Sequence, residues 1–415
     1  MKRSLLALLA ALGAAGTARA APLELSEDVR AHVLDIHASN PERRDDAFSK
    51  MGGSSVASKA FLHCFSTKYV ELDGREELAE TIDYFNTGRR NSFNRRSEAA
   101  GVSWNLRYVL GGRPASFRKE ANANDARWAL VLFGGNDAQN ENARVYLKRL
   151  VYLVEELEDM GVVPVLGSAL PRQNRYKDRW IRRFNAITEA VAEHWSLPYI
   201  DYHGALSALP GRGLARDGVH PNVLGRGGVS NACRLTEQGL RYGNNLRNLL
   251  TLEMLDALRR TVADEGTDTG ADTDADAGAG TGTGTGTDAG TDADAGTGTG
   301  TGTDAVSVLI SKPELPIATE LPKHCGVPKA GSRHYRTSIP LDARTRIRVS
   351  ALDLAGFKPR VFWIRVDEEG LRCVRRRVQT LEVDAKPGMW DLIVEVPERS
   401  AEDGQMLLLI TQTPR

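Results

Sequence analysis

Ala129-Leu130-Val131-Leu132-Phe133-Gly134-Gly135-Asn136-Asp137 is the stretch that decides the fold. Five apolar residues read as a buried strand, and two glycines turn the chain before two polar side chains. Downstream, residues 143–160 carry Val145, Leu147, Leu150, Val151, Val154 and Leu157 at helical spacing, and residues 162–166 form a second apolar run. Strand, helix and strand in that order predict a parallel sheet with helices on both faces, an α/β architecture of three layers. Further expectations are a helix over 180–195, a short strand over 197–201 and a closing helix over 235–258. Asn136 falls on a loop at the carboxyl end of its strand, where open α/β sheets place their sites.

Two other segments carry candidate chemistry. In Ala215-Arg216-Asp217-Gly218-Val219-His220-Pro221 an aspartate stands three residues before a histidine, in a turn punctuated by Gly and Pro. That spacing presents both side chains in one direction, and the carboxylate fixes the tautomer of an imidazole acting as general base. In Lys50-Met51-Gly52-Gly53-Ser54-Ser55-Val56 two glycines allow a sharp turn and leave Ser54 uncrowded, as a nucleophile requires. Ser55 is the competing register.

In this order, Gly52-Gly53-Ser54, Gly134-Gly135-Asn136-Asp137 and Asp217-Gly218-Val219-His220 resemble the SGNH, or GDSL-type, hydrolases, whose motifs read G-D-S, G-x-N-D and D-x-x-H. The resemblance covers roughly residues 45–260. It implies a serine esterase without metal or organic cofactor, with Ser54 as nucleophile, His220 as base and Asp217 orienting it. The oxyanion would be held by the N–H groups of Ser54 and Gly101 and by the Asn136 amide; Ser103 and Gly88 compete with Gly101. The implied substrates are carboxylic esters, including acetylated polysaccharides and lipids. The first motif departs from the family, because Gly53 replaces the aspartate that orders the nucleophile turn. The alternatives are therefore an impaired relative that keeps the fold and binds glycans or surfaces, and an acyltransferase.

Residues 264–304 are almost wholly Gly, Thr, Ala and Asp. They cannot bury a core, and the expectation is a disordered tether. Asp272, Asp274 and Asp276 alternate as in a calcium loop, but no glutamate closes it. Past the tether, strands are expected at 344–351, 360–366, 371–378, 390–396 and 406–411, giving a small β-sandwich over 305–415. It loosely resembles the pre-peptidase C-terminal domains of secreted bacterial hydrolases. The α/β domain occupies 21–263.

Residues 1–20 read as a secretory signal. Lys2 and Arg3 precede an apolar run, and Ala18-Arg19-Ala20 is a cleavage site, so secretion or a periplasmic location is expected. No later apolar run is long enough to span a bilayer. The 54 basic and 54 acidic residues balance, giving no bias toward nucleic acid. One local exception is residues 171–183, with Arg172, Arg175, Lys177, Arg179, Arg182 and Arg183, read as a solvated loop and helix start with an anionic-substrate site as the rival. Four cysteines in an exported chain suggest disulfides. Of three pairings the simplest is one per domain, Cys64–Cys233 and Cys325–Cys373. No Cys or His pair has metal-ligand spacing, and the oligomeric state is open.

Overall fold

The computed structural model describes residues 22–140, 142–225 and 228–268, and beyond them the segments 305–311, 332–341, 343–353, 360–366, 372–376, 380–397 and 406–414. The expected signal segment and nearly all of the expected tether lie outside the described residues.

The first unit is a parallel sheet of four strands, β1 (Arg44–Gly52), β2 (Ala126–Leu132), β3 (Val163–Gly167) and β4 (Tyr199–Ile200), in that spatial order. Around it run α1 (Glu27–Ser39), α2 (Ser54–Ala57), α3 (Leu78–Phe85), α4 (Leu106–Val109), α5 (Ser116–Asn122), α6 (Ala143–Asp159), α7 (Arg175–Trp195), α8 (Tyr202–Ser207) and α9 (Gly243–Asp268). The three-layer α/β architecture expected from the apolar runs is the one observed. All seven residues of β2 are buried, and α6 sends Leu147, Leu150, Val151, Val154 and Leu157 into the same core.

β1 escaped the sequence pattern because Arg44, Asp45, Asp46, Ser49 and Lys50 hide its strand character. The fold satisfies these groups internally. Lys50 is buried with its Nζ donating to Phe93 O at 2.7 Å, and burial lowers its pKa to about 8. β2 also starts earlier than expected. Arg127 is fully buried, and its guanidinium donates to Asp45 Oδ1, Gly161 O and Arg43 O. A buried charge that meets one carboxylate and two carbonyls is tolerated where an unpaired one would not be.

The strand register positions the site. Gly52 pairs with Leu132, so β1 and β2 end side by side and release their loops at the same edge. Cys64 and Cys233 are bonded, and the backbone beside them is paired as well: Glu71 N–H donates to Cys233 O, and Leu235 N–H to Glu71 O. Cys325 lies outside the described residues, and with it the second expected bridge.

Three boundaries moved. α7 begins at Arg175, because the Asn174 side chain caps it by accepting from Lys177 N–H. α9 begins only at Gly243, after a short 3-10 turn at Gly239–Arg241. It then continues to Asp268, past the expected tether boundary at 264. Among the described residues no helix is long and apolar enough to cross a membrane.

The later segments form two antiparallel sheets of four strands each. One has the order β10 (Thr380–Ala385), β7 (Thr345–Asp353), β12 (Met406–Pro414), β5 (Ala305–Ser311). The other has the order β6 (Ser332–Leu341), β11 (Gly388–Pro397), β8 (Arg360–Val366), β9 (Arg372–Arg376). β5, β6 and β10 were not foreseen. β7 lies against α7, where His194 Nδ1 and Ser350 Oγ are 2.8 Å apart and Arg348 Nη1 donates to Ser196 Oγ.

Candidate active site

Ser54 is the first residue of α2, directly after the Gly52-Gly53 exit from β1. Its Oγ lies 2.7 Å from His220 Nε2. On the far side of the ring, His220 Nδ1 lies 2.7 Å from Asp217 Oδ2. The other oxygen, Asp217 Oδ1, accepts from Val219 N–H and His220 N–H, both at 2.9 Å. One carboxylate therefore fixes the ring and the turn that carries it. The hydrogen bond from His220, followed by those two backbone N–H groups, lowers the Asp217 pKa to about 2 although the side chain is half exposed.

The turn is anchored from outside. Ala215 N–H donates to His220 O, and Gln173 N–H to Gly218 O. Gly218 adopts φ +66°, and a Cβ there would come within 2.7 Å of Gln173 Cβ, so glycine is required. Pro221 is held by α9, where Asn244 Nδ2 donates to its carbonyl.

The β2 loop is braced by Asp137. Its buried carboxylate accepts from Gly134 N–H and Leu106 N–H; burial raises its pKa, against the pull of those donors. Gly134 adopts φ +103° and turns the chain so that Asn136 reaches the cleft. Asn136 Nδ2 gives one hydrogen to Trp104 O at 2.8 Å and retains the second. The Ser54 N–H has no acceptor among the described residues.

Gly101 is placed differently from the expectation. Its N–H donates to Gly52 O at 3.1 Å, extending the edge of β1, and the residue does not line the cleft. A Cβ at Gly101 would stand 2.5 Å from Trp104 Nε1, so the glycine is needed to seat the indole. The rivals Ser103 and Gly88 also lie outside the cleft lining, and Trp104 is the residue of this segment that enters it.

The cleft has a volume of about 50 Å3, room for a few water molecules. Two arginines line it that the sequence reading did not assign to the site. Arg247 of α9 is buried under the turn that carries Ser54, with Nη1 donating to Ser55 O at 3.0 Å and its guanidinium 3.8 Å from the Phe61 ring centre. Desolvation lowers its pKa to about 10. The signal available was a cation amid the run Asn244-Asn245-Leu246-Arg247-Asn248, polar residues on what becomes a buried helix face. Arg172 enters from the loop after β3. Among the described residues, no group of three His, Cys, Asp or Glu side chains is disposed to hold a metal ion.

Residues 78–226 match the model of the GDSL-like lipase/acylhydrolase family, a span that holds Asn136, Asp217 and His220 and begins after Ser54. Solved structures similar to this one include Axe2, an acetylxylan esterase from Geobacillus stearothermophilus, at 15% identity and a TM-score of 0.35, covering 50% of this chain and 93% of that one. Another is a GDSL-like lipase from Bacteroides thetaiotaomicron, at 14% identity and a TM-score of 0.34, covering 55% of this chain and 98% of that one. The comparison with curated proteins gave no match. The family match thus marks residues 78–226, about a third of the chain, as similar to the GDSL-like lipase/acylhydrolase family.

Proposed function

We propose that the protein is a serine esterase that transfers an acyl group from a carboxylic ester to Ser54 and then to water. The observation that carries this reading is the line Ser54 Oγ, His220 Nε2, His220 Nδ1, Asp217 Oδ2, with both contacts at 2.7 Å. Ser54 attacks the ester carbonyl while His220 takes its proton. The imidazolium is stabilised by Asp217 and returns the proton to the departing alcohol. Water then enters by the same base and releases the acid. The oxyanion is held by the Ser54 N–H at the start of α2 and the second Asn136 Nδ2 hydrogen; these donors replace the trio first expected, since Gly101 N–H is engaged by Gly52 O.

The small cleft favours short acyl groups such as acetyl over lipid chains. Acylated polysaccharide is then the substrate class most in keeping with an open cleft that admits only a small acyl group. Export into an oxidising compartment is supported by the signal-like segment 1–20 and by the Cys64–Cys233 bond. The β-rich segment after the tether serves as an accessory unit.

The test is hydrolysis of p-nitrophenyl acetate, butyrate and octanoate by the purified protein. Turnover falling from acetate to octanoate, and lost on Ser54→Ala, is the expected result. No turnover of any of the three would leave the impaired, ligand-binding relative as the better reading.

A further inference from the structure

Of the six basic residues in 171–183, one departs from its neighbours. Arg182 is paired with Asp178, while Arg179 and Arg183 lie over the Trp180 ring. Arg172 instead turns into the cleft beside the reacting groups. Its Nη1 donates to Val219 O at 3.2 Å, the carbonyl immediately before His220. Its Nη2 covers Gly135 so closely that a Cβ there would stand 2.8 Å away. The backbone N–H of Arg172 is fixed by Asp178 Oδ1 at 2.9 Å.

Asp178 and Asp217 act on this guanidinium electrostatically, without an ion-pair contact among the described residues. Among the described residues no carboxylate forms an ion pair with Arg172, and its side-chain acceptors are the backbone carbonyls of Leu170, Pro171 and Val219, all bonded through Nη1. The nearest acids are already engaged: Asp178 by Arg182, Arg212 and His203, and Asp217 by His220. The cleft lining contains a second cation, Arg247, and no Asp or Glu. A partly buried arginine that lines a cleft and forms no ion pair among the described residues is disposed to meet an anion from outside.

We infer that Arg172 selects esters whose alcohol portion carries an anionic group, such as the carboxylate of an acylated acidic sugar. The side of the ester follows from the chemistry. His220 returns the proton to the departing alcohol, so the alcohol lies on the His220 side, and Arg172 is bonded to the residue adjoining His220. A carboxylate or sulfate placed there meets Nη2, while Nη1 remains tied to Val219 O. This inference rests on the esterase reading and adds the substrate class to it.

Three acetate esters with the same acetoxyphenyl frame test it: 4-acetoxybenzoate, 4-acetoxybenzenesulfonate and the neutral 4-acetoxybenzamide. The expected result is a kcat/KM for the carboxylate at least tenfold above that for the amide. The sulfonate arm separates the two anions, since a planar carboxylate and a tetrahedral sulfonate fit the exposed edge differently. Arg172→Gln should reduce the carboxylate-to-amide ratio about tenfold, mainly through KM, and Arg172→Lys should fall between. Should Arg172→Gln fail to fold, the wild-type ratio measured from 50 to 500 mM salt decides, because a charge contact at a cleft mouth weakens as salt screens it.

A wild-type ratio near one, or a ratio unmoved by both Arg172→Gln and salt, overturns the inference while leaving the esterase standing. Should none of the three esters be cleaved, the esterase reading fails by itself. Titration calorimetry of 4-hydroxybenzoate against 4-hydroxybenzamide on wild type and Arg172→Gln then decides the anion site, with no preference for the acid overturning it.

Discussion

The Asn136 side-chain amide rests against the bare Cα of Gly53: a Cβ at that position would stand 3.0 Å from Asn136 Nδ2 and 3.3 Å from Trp104 O. The residue that departs from the G-D-S motif is thus the one that leaves space for the amide proposed to hold the oxyanion. Arg247, which donates to Ser55 O from beneath, braces the turn that carries Ser54.

Restoring the family aspartate should therefore harm the protein. Gly53→Asp is expected to lower kcat on p-nitrophenyl acetate by roughly tenfold or more, through displacement of Asn136, since one oxyanion donor is worth on the order of 10²–10³ in kcat. Gly53→Ala should show a smaller loss in the same direction. Higher activity in Gly53→Asp would show that the missing carboxylate had been limiting.

Ser54→Ala should reduce turnover by about 10⁴-fold or more, with the thermal midpoint shifted by no more than a few degrees. Ser55 supplies a backbone carbonyl to Arg247, and Ser55→Ala preserves that carbonyl, so its activity should stay within a few fold of wild type. The reverse pattern in the two variants would move the nucleophile by one residue.

Asp217→Asn removes the acceptor that fixes His220 and should cost about 10²–10⁴-fold in kcat. Because the carboxylate of Asp217 stays ionised down to about pH 2, its protonation does not set the acid limb of the activity profile between pH 4 and 7. A pH–rate profile of wild type checks this: an acid limb that vanishes in Asp217→Asn, with kcat otherwise retained, would assign that limb to Asp217.

The Cys64–Cys233 bond closes a loop with a sequence separation of 169, and chain-entropy reasoning gives it about 5 kcal/mol, with measured bridges more often worth roughly 2–5. Replacing both cysteines by alanine should lower the denaturant midpoint accordingly without changing the site geometry. Equal stability of the oxidised protein and the double variant would remove the bond from the stability argument.

The contact between α7 and β7 should be acid-sensitive. Burial, with a smaller contribution from Arg348, lowers the His194 pKa from 6.5 to about 3. When the contact opens, the imidazole takes up a proton below about pH 6.5 that the docked form refuses. Docking is thus at full strength above pH 6.5 and weakens as pH falls from there toward 3. Thermal scans between pH 7.5 and 4.5 should show a steeper acid loss for wild type than for His194→Gln; parallel curves would contradict it. A fragment spanning residues 21–268 retains every proposed catalytic group and should keep turnover on small esters.

Local pattern made the α/β class and much of the candidate site legible. The β2 and α6 periodicities need only neighbouring residues, and the Asp217 to His220 spacing closes one turn by hydrogen bonds within four residues. Polar strands did not yield to the same reading. β1 and the start of β2 are strands because Lys50 and Arg127 find acceptors contributed by distant segments, at Phe93, Asp45, Gly161 and Arg43. The same limit governed the site. Only the parallel register of Gly52 with Leu132 brings the Ser54 and Asn136 loops to one edge, and only the packing of α9 puts Arg247 beneath them. The engagement of Gly101 N–H by Gly52 O and the entry of Arg172 into the cleft were likewise decided by contacts far apart in sequence. Sequence periodicity reports which side of an element is buried, whereas the partner that satisfies a buried polar group is chosen by long-range packing.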